Sequence, residues 1–393
     1  MEQVLYKLPD GWKYQKLKTL IKMHYGKALK ATDRIEGEVP VYGSNGVVGS
    51  HNEHLWDQPT VVIGRKGSVG EANLAFTPSW TIDTAYYVEI IDHKVLNLMY
   101  FYYFADRFDV SSISQKGVKP GINRNDYLNL SFPLPPINEQ ERIVEKLDTL
   151  LTRIDTAIEN LQESIRLADA LFSSALNRVF NPSGTKANFD SGYSLPEGWD
   201  WRTVNDLSTK IQYGHTAKAA DKGNAQFLRI TDIQDNNIDW LGVPFVDLKE
   251  KEIEKYALKD NDLVFARSGA TAGKSILIKE PPQNAIFASY LIRIVPDTEA
   301  IQPEYLELFF KSPAYWDIVK ANAAGAAQPN INGTKLGEFK VPAPSMETQK
   351  RIVDEMSSLS ARVTELKKEL RDKIYVIESA KSSILNSAFK GEL

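Results

Sequence analysis

The sequence predicts an α+β chain of two globular domains joined by two long helices that form an antiparallel coiled coil, with a pseudo-two-fold repeat relating its halves. Three observations predict it. A proline-led helical pattern, PLPPINEQERIVEKLDTLLTRIDTAIENLQESIRLADALFSSALNRVF from Pro133 to Phe180, occurs again from Pro342 to Phe389, displaced by 209 residues without a gap. Each half opens on the same turn chemistry, LPDGW at Leu8–Trp12 and LPEGW at Leu195–Trp199. Between opening and helix, each half alternates short β-branched and aromatic runs with glycine-bearing loops. The openings are offset by 187 residues rather than 209, so the middles of the halves differ in length inside a matching frame.

The segments are therefore 1–136, a first globular domain; 137–180, a central long helix; 181–194, a linker; 195–344, a second globular domain; and 345–393, a second long helix. In the first domain, VPVYGSNGVVGSH suits a hairpin, TVVIGRKGSVGEANLAF a strand–loop–strand, WTIDTAYYVEII a strand, and VLNLMYFYYFADRF a short helix on the core. The second domain repeats this with QFLRITDI and AIFASYLIRIV as strands, DLVFARSGATAGKSILI as strand–loop–strand, and PEYLELFFKSPAYWDIV as helix. Asn181 to Ser194, rich in Gly, Ser, Asn and Asp, reads as the linker.

The helices carry a narrow apolar seam. In the first it runs through Ile143, Leu147, Leu150, Ile154, Ile158, Leu161, Ile165, Ala168, Phe172, Ala175 and Val179. In the second it runs through Ile352, Met356, Leu359, Val363, Leu366, Leu370, Ile374 and Ile377. Steps of three and four with a stutter describe a heptad-like stripe that needs a partner helix. A helix of about 40 residues reaches roughly 60 Å, and the other copy is the simplest partner. A short linker from the end of the first helix into the second domain favours the antiparallel arrangement.

Composition narrows the chemistry. The chain of 393 residues has no cysteine and only 5 histidines, which excludes disulfides and leaves little for metal or nucleophilic catalysis. No leader-like or bilayer-spanning apolar run occurs, so a cytoplasmic protein is expected, with no membrane partner. The net charge of −4 is no signature of nucleic-acid binding, which must rest on local patches. Lys13, Lys16, Lys18, Lys22, Lys27 and Lys30 form one such stretch with no acid between them. Ala266–Ser275 resembles a phosphate loop, but only three residues separate Gly269 from Gly273 where four are required. His51 and His54 lack a third ligand and are expected on a hairpin surface. Asn181-Pro182-Ser183 is not a methylase motif. Neither a catalytic nor a metal site is expected in this chain.

Two domains opened by LP[DE]GW, each closed by a proline-rich stop and a long helix with Q-x-R-I-V, resemble the specificity subunit of type I restriction–modification systems. The residues that carry the resemblance are Pro133–Leu151, Pro342–Val353 and Ser382–Leu393, and it covers nearly the whole chain. The first helix departs from the pattern at its end, with Val179-Phe180-Asn181 where the second has Ala388-Phe389-Lys390. The resemblance implies that each domain is a target recognition domain reading one half of a bipartite, asymmetric double-stranded DNA site. It implies that the helices set the spacer and dock the modification subunits, with Gln140, Arg142, Ile143, Gln349, Arg351 and Ile352 at the docking positions. It implies two methyltransferase subunits that bind S-adenosylmethionine and two restriction subunits that use ATP and Mg, with no cofactor in this chain.

Base edges are read by Arg, Lys, Asn, Gln, Ser and Thr, and glycine-bearing turns let backbone approach a groove. The DNA-contact candidates are Ser44, Asn45, Arg65, Lys66, Ser68, Lys116, Lys119, Asn123 and Arg124 in the first domain. In the second they are His215, Lys218, Arg229, Arg267, Ser268, Lys274, Gln328, Asn330 and Lys335. The alternative from another class is a coiled-coil scaffold binding two protein ligands through its globular ends.

Overall fold

The Pro-Asp/Glu-Gly-Trp openings form the same turn twice. Gly11 and Gly198 adopt φ of +84° and +82°, and Trp12 and Trp199 donate backbone N–H bonds of 3.2 Å to Pro9 and Pro196. The chain then enters a short strand clamped by the one that leads into the long helix: Lys13–Lys16 pairs antiparallel with Ser131–Leu134, and Asp200–Thr203 with Lys340–Ala343. The computed structural model describes residues 6–115, 121–181, 194–234, 237–267, 272–323 and 331–393.

Packing divides the chain into two units, residues 1–162 with 371–393, and residues 163–370. Each unit takes part of both long helices, Ile137–Phe180 and Met346–Lys390, so the packing units do not coincide with the five sequence segments.

The first unit holds a four-stranded antiparallel sheet in the order Ile21–Tyr25, Ala85–Ile90, Thr60–Gly64, Ala72–Ala75. Beside it, Gly46–His51 pairs with Val39–Gly43, which pairs in parallel with Trp80–Thr81. The second unit repeats this order with Ser208–Tyr213, Leu291–Pro296, Leu263–Ala266 and Ser275–Leu277. Its smaller sheet has Phe245–Val246 on Ala225–Leu228, which again pairs in parallel with Ala285–Phe287. Both helices expected on the cores are present, at Leu98–Arg107 and Pro303–Lys311.

Local chemistry accounts for the departures from simple strands and helices. PEYLELFFKSPAYWDIV breaks into Pro303–Lys311 and Pro313–Ala323 because Pro313 has no N–H and holds Ser312 extended at ψ 150°. The Ser312 hydroxyl accepts from the Tyr315 N–H at 3.2 Å and so caps the second piece. QFLRITDI is a strand only over Ala225–Leu228, and a 3₁₀ turn follows where Asp232 accepts the Arg229 N–H at 2.8 Å. WTIDTAYYVEII and AIFASYLIRIV each split around a turn, so one strand of each joins the small sheet and the other the large one.

Each unit is completed by the end of a long helix. In the first, Phe389 is fully buried, 4.9 Å from the Tyr100 ring and 5.8 Å from Phe104. The Tyr6 hydroxyl donates to its carbonyl at 2.5 Å, and burial pushes that phenol up to about 12. In the second, Phe180 is fully buried 5.3 Å from Tyr305 and 5.5 Å from Phe309. Within the first unit, Asp155 pairs with Lys381 at 2.7 Å while Arg142 donates to the Leu393 carbonyl at 2.9 Å, which is an antiparallel register. Within the second, Asp169 pairs with Lys367 at 2.5 Å while Leu176 and Phe180 share a core with Ile352 and Met356, antiparallel again.

The seam differs from the expected one near the helix ends. Leu151, Leu176 and Phe180 are buried there, because those turns face a globular core as well as the other helix, which widens the apolar stripe. Leu366, expected on the seam, is 45% exposed.

Gln140 and Gln349 serve the fold. Gln140 is 0% exposed; its carboxamide donates to the Val95 and Pro135 carbonyls at 2.9 Å each and accepts from the Asn97 N–H at 2.8 Å. Gln349, 1% exposed, repeats this with the Pro344 carbonyl and the Gln302 N–H. Gln140→Ala leaves three polar backbone groups without their partner, and a loss of about 1–3 kcal/mol is expected. Urea unfolding measures it, and a midpoint unchanged from wild type would show the staple to be dispensable.

Candidate nucleic-acid interface

In the first unit the candidate residues gather where two strands end. Strand Ile21–Tyr25 stops at Tyr25-Gly26, and a Cβ at Gly26 would lie 2.0 Å from the Ile82 carbonyl oxygen, so only glycine fits. Strand Thr60–Gly64 stops at a similar crossing, where a Cβ on Gly64 would meet the Ser68 oxygen at 1.9 Å and the Ser44 oxygen at 2.7 Å. That crossing sets the two-residue hairpin turn Ser44-Asn45, between paired Gly43 and Gly46, against the loop Arg65-Lys66-Gly67-Ser68. Ile122 donates its N–H to the Arg65 carbonyl at 3.1 Å, and Lys66 bridges to Gly121, which brings Asn123 and Arg124 to the same place.

The centre of this cluster is Tyr25, 50% exposed. The guanidinium carbons of Arg65 and Arg124 each lie 5.1 Å from its ring centroid, and Arg65 is also 5.8 Å from Tyr86. Such contacts are worth about 0.5–1 kcal/mol at exposed sites, and they hold two flexible cations in place. Arg65 Nη1 donates to the Asp83 carbonyl at 3.0 Å. The Tyr86 hydroxyl donates to the Ile122 carbonyl at 3.1 Å, and burial raises its pKa while Arg65 pulls the other way. Asn123 caps the helix Arg124–Leu128, its Oδ1 accepting from the Asn125 N–H at 2.8 Å, so its oxygen is already engaged. Lys66 and Asn45 are exposed beside them.

The second unit builds a related site from matching positions. Strand Ser208–Tyr213 stops at Tyr213-Gly214, where a Cβ would lie 2.2 Å from the Ala288 oxygen. Tyr213 is 41% exposed, and the Arg267 guanidinium lies 5.3 Å from its centroid. Ile331 donates to the Arg267 carbonyl at 2.9 Å, as Ile122 does to Arg65. The Tyr213 hydroxyl accepts the Gly333 N–H at 2.7 Å, and Asn332 caps the next helix through the Lys335 N–H at 2.8 Å.

The other candidates divide by environment. His215 packs edge-on against Tyr256 at 5.2 Å, while Lys218, Lys274 and Lys335 are exposed. Lys274 stands at the rim of a cleft of about 390 Å³ that Phe172, Phe310 and Trp316 also line. Arg229 is committed to Asp232 through bonds of 2.7 and 3.1 Å, which neutralises its charge. Lys116, Lys119, Ser268, Gln328 and Asn330 lie outside the described residues, as does most of the linker.

Three expectations change. Gln140, Ile143, Gln349 and Ile352 are buried at 0, 1, 1 and 6% exposure, so a partner cannot reach them; only Arg142 and Arg351 of the docking set face solvent. Arg142 is already held by Glu139 at 2.8 Å, which depresses that carboxyl's pKa. His51 is not on a hairpin surface: it is 5% exposed and its Nδ1 accepts the Ile35 N–H at 3.0 Å. In the lysine stretch, Lys22 pairs with Glu89 at 2.7 Å and Lys27 lies 5.6 Å over the Trp80 ring. Among the described residues no cluster of three metal-ligating side chains occurs, and no helix is long and apolar enough to cross a membrane.

Known proteins share this architecture. A family model described as the type I restriction modification DNA specificity domain matches residues 9–167 and 196–375. The type I restriction enzyme EcoKI specificity subunit of Escherichia coli strain K12 is 27% identical over 298 residues, covering 73% of this chain and 63% of that protein. The chain thus spans less than two thirds of that relative's length. The MjaVIII specificity subunit of Methanocaldococcus jannaschii is 24% identical, covering 98% of this chain and 94% of its own. A chain from a structural study of type I R-M system assembly and conformational transition superposes with a TM-score of 0.77 at 17% identity, covering 99% of this chain and all of its own. The HsdS subunit of Thermoanaerobacter tengcongensis gives 0.55 at 18% identity, with 99% of each chain covered. At those identities the structural likeness concerns the fold alone.

Proposed function

The chain belongs to the type I restriction modification DNA specificity family and carries two copies of its domain, and from that membership we propose that it is the sequence-reading subunit of a methylating and restricting complex. Each domain reads one half of a bipartite DNA site, and the helices fix the interval between the halves. The chain itself is not a catalyst. Two methyltransferase subunits that bind S-adenosylmethionine act on the DNA it selects, and two restriction subunits use ATP and Mg, all in the cytoplasm. The observation that carries this reading is the matched pair of sites, Arg65 on Tyr25 and Arg267 on Tyr213, at the same place in two repeated domains. A guanidinium braced on a ring presents fixed donors to guanine or phosphate acceptors. A scaffold for two protein ligands has no need of two like guanidinium platforms.

Partner docking then falls on helix residues that the fold leaves uncovered. Leu167 and Leu171, at 60% and 57% exposure, are candidates in the second unit, and Tyr375 and Val376, at 72% and 64%, in the first.

Genome-wide adenine methylation mapped with and without this protein tests the reading. The expected result is one bipartite motif that disappears with the protein, and no methylation by the purified chain alone. A second map, after insertion of about four residues (one helical turn) between Gln162 and Glu163, is expected to show an altered spacer with both half-sites retained. An unchanged methylome on deletion would overturn the assignment.

A further inference from the structure

The two matched sites are unequal. The three residues that follow Ile122 and Ile331 are Asn-Arg-Asn and Asn-Gly-Thr, so Gly333 stands where the first domain has Arg124. The first site therefore gathers two guanidiniums on one ring, each 5.1 Å from the Tyr25 centroid, and the second has one. Two like charges gathered on one ring repel, and an anion that joins them relieves that repulsion. Neither Arg65 nor Arg124 is in an ion pair among the described residues, and the Arg124 Nε is buried without a hydrogen-bond partner there. Arg65 already gives one Nη1 hydrogen to the Asp83 carbonyl, which fixes its guanidinium beside the ring and leaves its other N–H donors for an acceptor. Arg267 makes no such side-chain bond among the described residues.

We propose that Arg65 and Arg124 form a two-guanidinium clamp for a phosphate of the DNA backbone, whereas Arg267 on Tyr213 is left to read a base. This rests on the proposed DNA reading and assigns each platform its kind of contact. The clamp has a rigid base: the Arg65 backbone is bonded to Thr84 at 2.9 Å and to Ile122 at 3.1 Å, and Ile122 is held by Tyr86 at 3.1 Å. A phosphate diester offers two unshared oxygens, one for each guanidinium. Backbone contacts of this kind position a protein on the duplex without selecting sequence.

The test is a salt titration of the full chain on a fluorescein-labelled mixed-sequence duplex of about 40 base pairs. Each phosphate contact contributes a slope of about −0.9 to log K against log salt. Because both side chains clamp one phosphate, Arg124→Ala, Arg65→Ala and the double variant are each expected to reduce the slope by about that single amount and to weaken binding roughly tenfold at 0.1 M salt. Arg124→Lys, which keeps the charge, is expected to keep the slope. Repeating the titration with added inorganic phosphate separates the sources. Competition in wild type but not in Arg124→Ala marks a clamp that also takes the free anion, and no competition marks one that needs the diester. An Arg124→Ala chain with wild-type thermal midpoint and unchanged slope overturns the clamp, as does a changed base preference without a changed slope. Wild type that binds no duplex at all overturns the DNA reading itself.

Discussion

Phe389→Ala and Phe180→Ala are each expected to destabilise the unit they complete by about 3–5 kcal/mol, since a buried phenylalanine loses its transfer free energy and leaves a cavity. Both rings are fully buried between aromatic residues four apart on a helix, Tyr100 and Phe104 in one unit, Tyr305 and Phe309 in the other. Urea unfolding followed by hydrogen exchange of each unit reads the result. Exchange is expected to rise first around Tyr100 in Phe389→Ala and around Tyr305 in Phe180→Ala. Leu366→Ala, on a side chain 45% exposed, is the control and is expected within about 0.5 kcal/mol of wild type. Equal losses in all three variants would refute the picture of helix ends as core plugs.

Arg267→Ala is expected to relax one base position of one half-site and leave the other half-site as it was. A bidentate arginine–guanine contact discriminates by about 1–3 kcal/mol, or roughly 5- to 150-fold. The methylome of a strain carrying the variant shows it directly, as spread of the motif at a single base. Tyr213→Phe retains the ring under Arg267 but removes the acceptor of the Gly333 N–H, a bond of 2.7 Å. It is expected to give a smaller relaxation at the same base. Uniform loss of methylation at every site, with no spread, would instead mark Arg267 as a backbone contact.

The repeated frame was legible in the sequence because it is local and periodic. The 209-residue offset already aligned Phe180 with Phe389, and the LPDGW and LPEGW turns form as their proline and glycine require. The arginine–tyrosine platforms were only half legible. Arg65 and Arg267 were marked by the glycine-bearing loops around them, but Tyr25 and Tyr213 were not, since strand pairing brings each to an arginine distant in sequence. The available signal was the repeated Tyr-Gly at 25–26 and 213–214, whose glycines lie against a neighbouring strand's backbone. The Q-x-R-I-V repeat pointed outward to a partner, whereas Gln140 and Gln349 turn inward to bond backbone groups of an approaching loop. A polar residue on a long helix looks solvent-facing in sequence, and only its burial shows that it is a staple. Arg229 was lost for the converse reason: its neighbour Asp232 neutralises it within one turn.

The division of the packing units bears on how the protein is made. Residues 163–370 form a contiguous unit that can close as soon as it has been synthesised, whereas the first unit needs residues 371–393 in addition to 1–162. At about 5–20 residues per second, translation of the intervening segment takes on the order of ten to forty seconds. During that interval the seat formed by Tyr100, Phe104 and Phe132 has no Phe389 to cover it. Nascent chains are thus expected to be more exposed to aggregation at the first domain than at the second, with chaperone dependence in the same order.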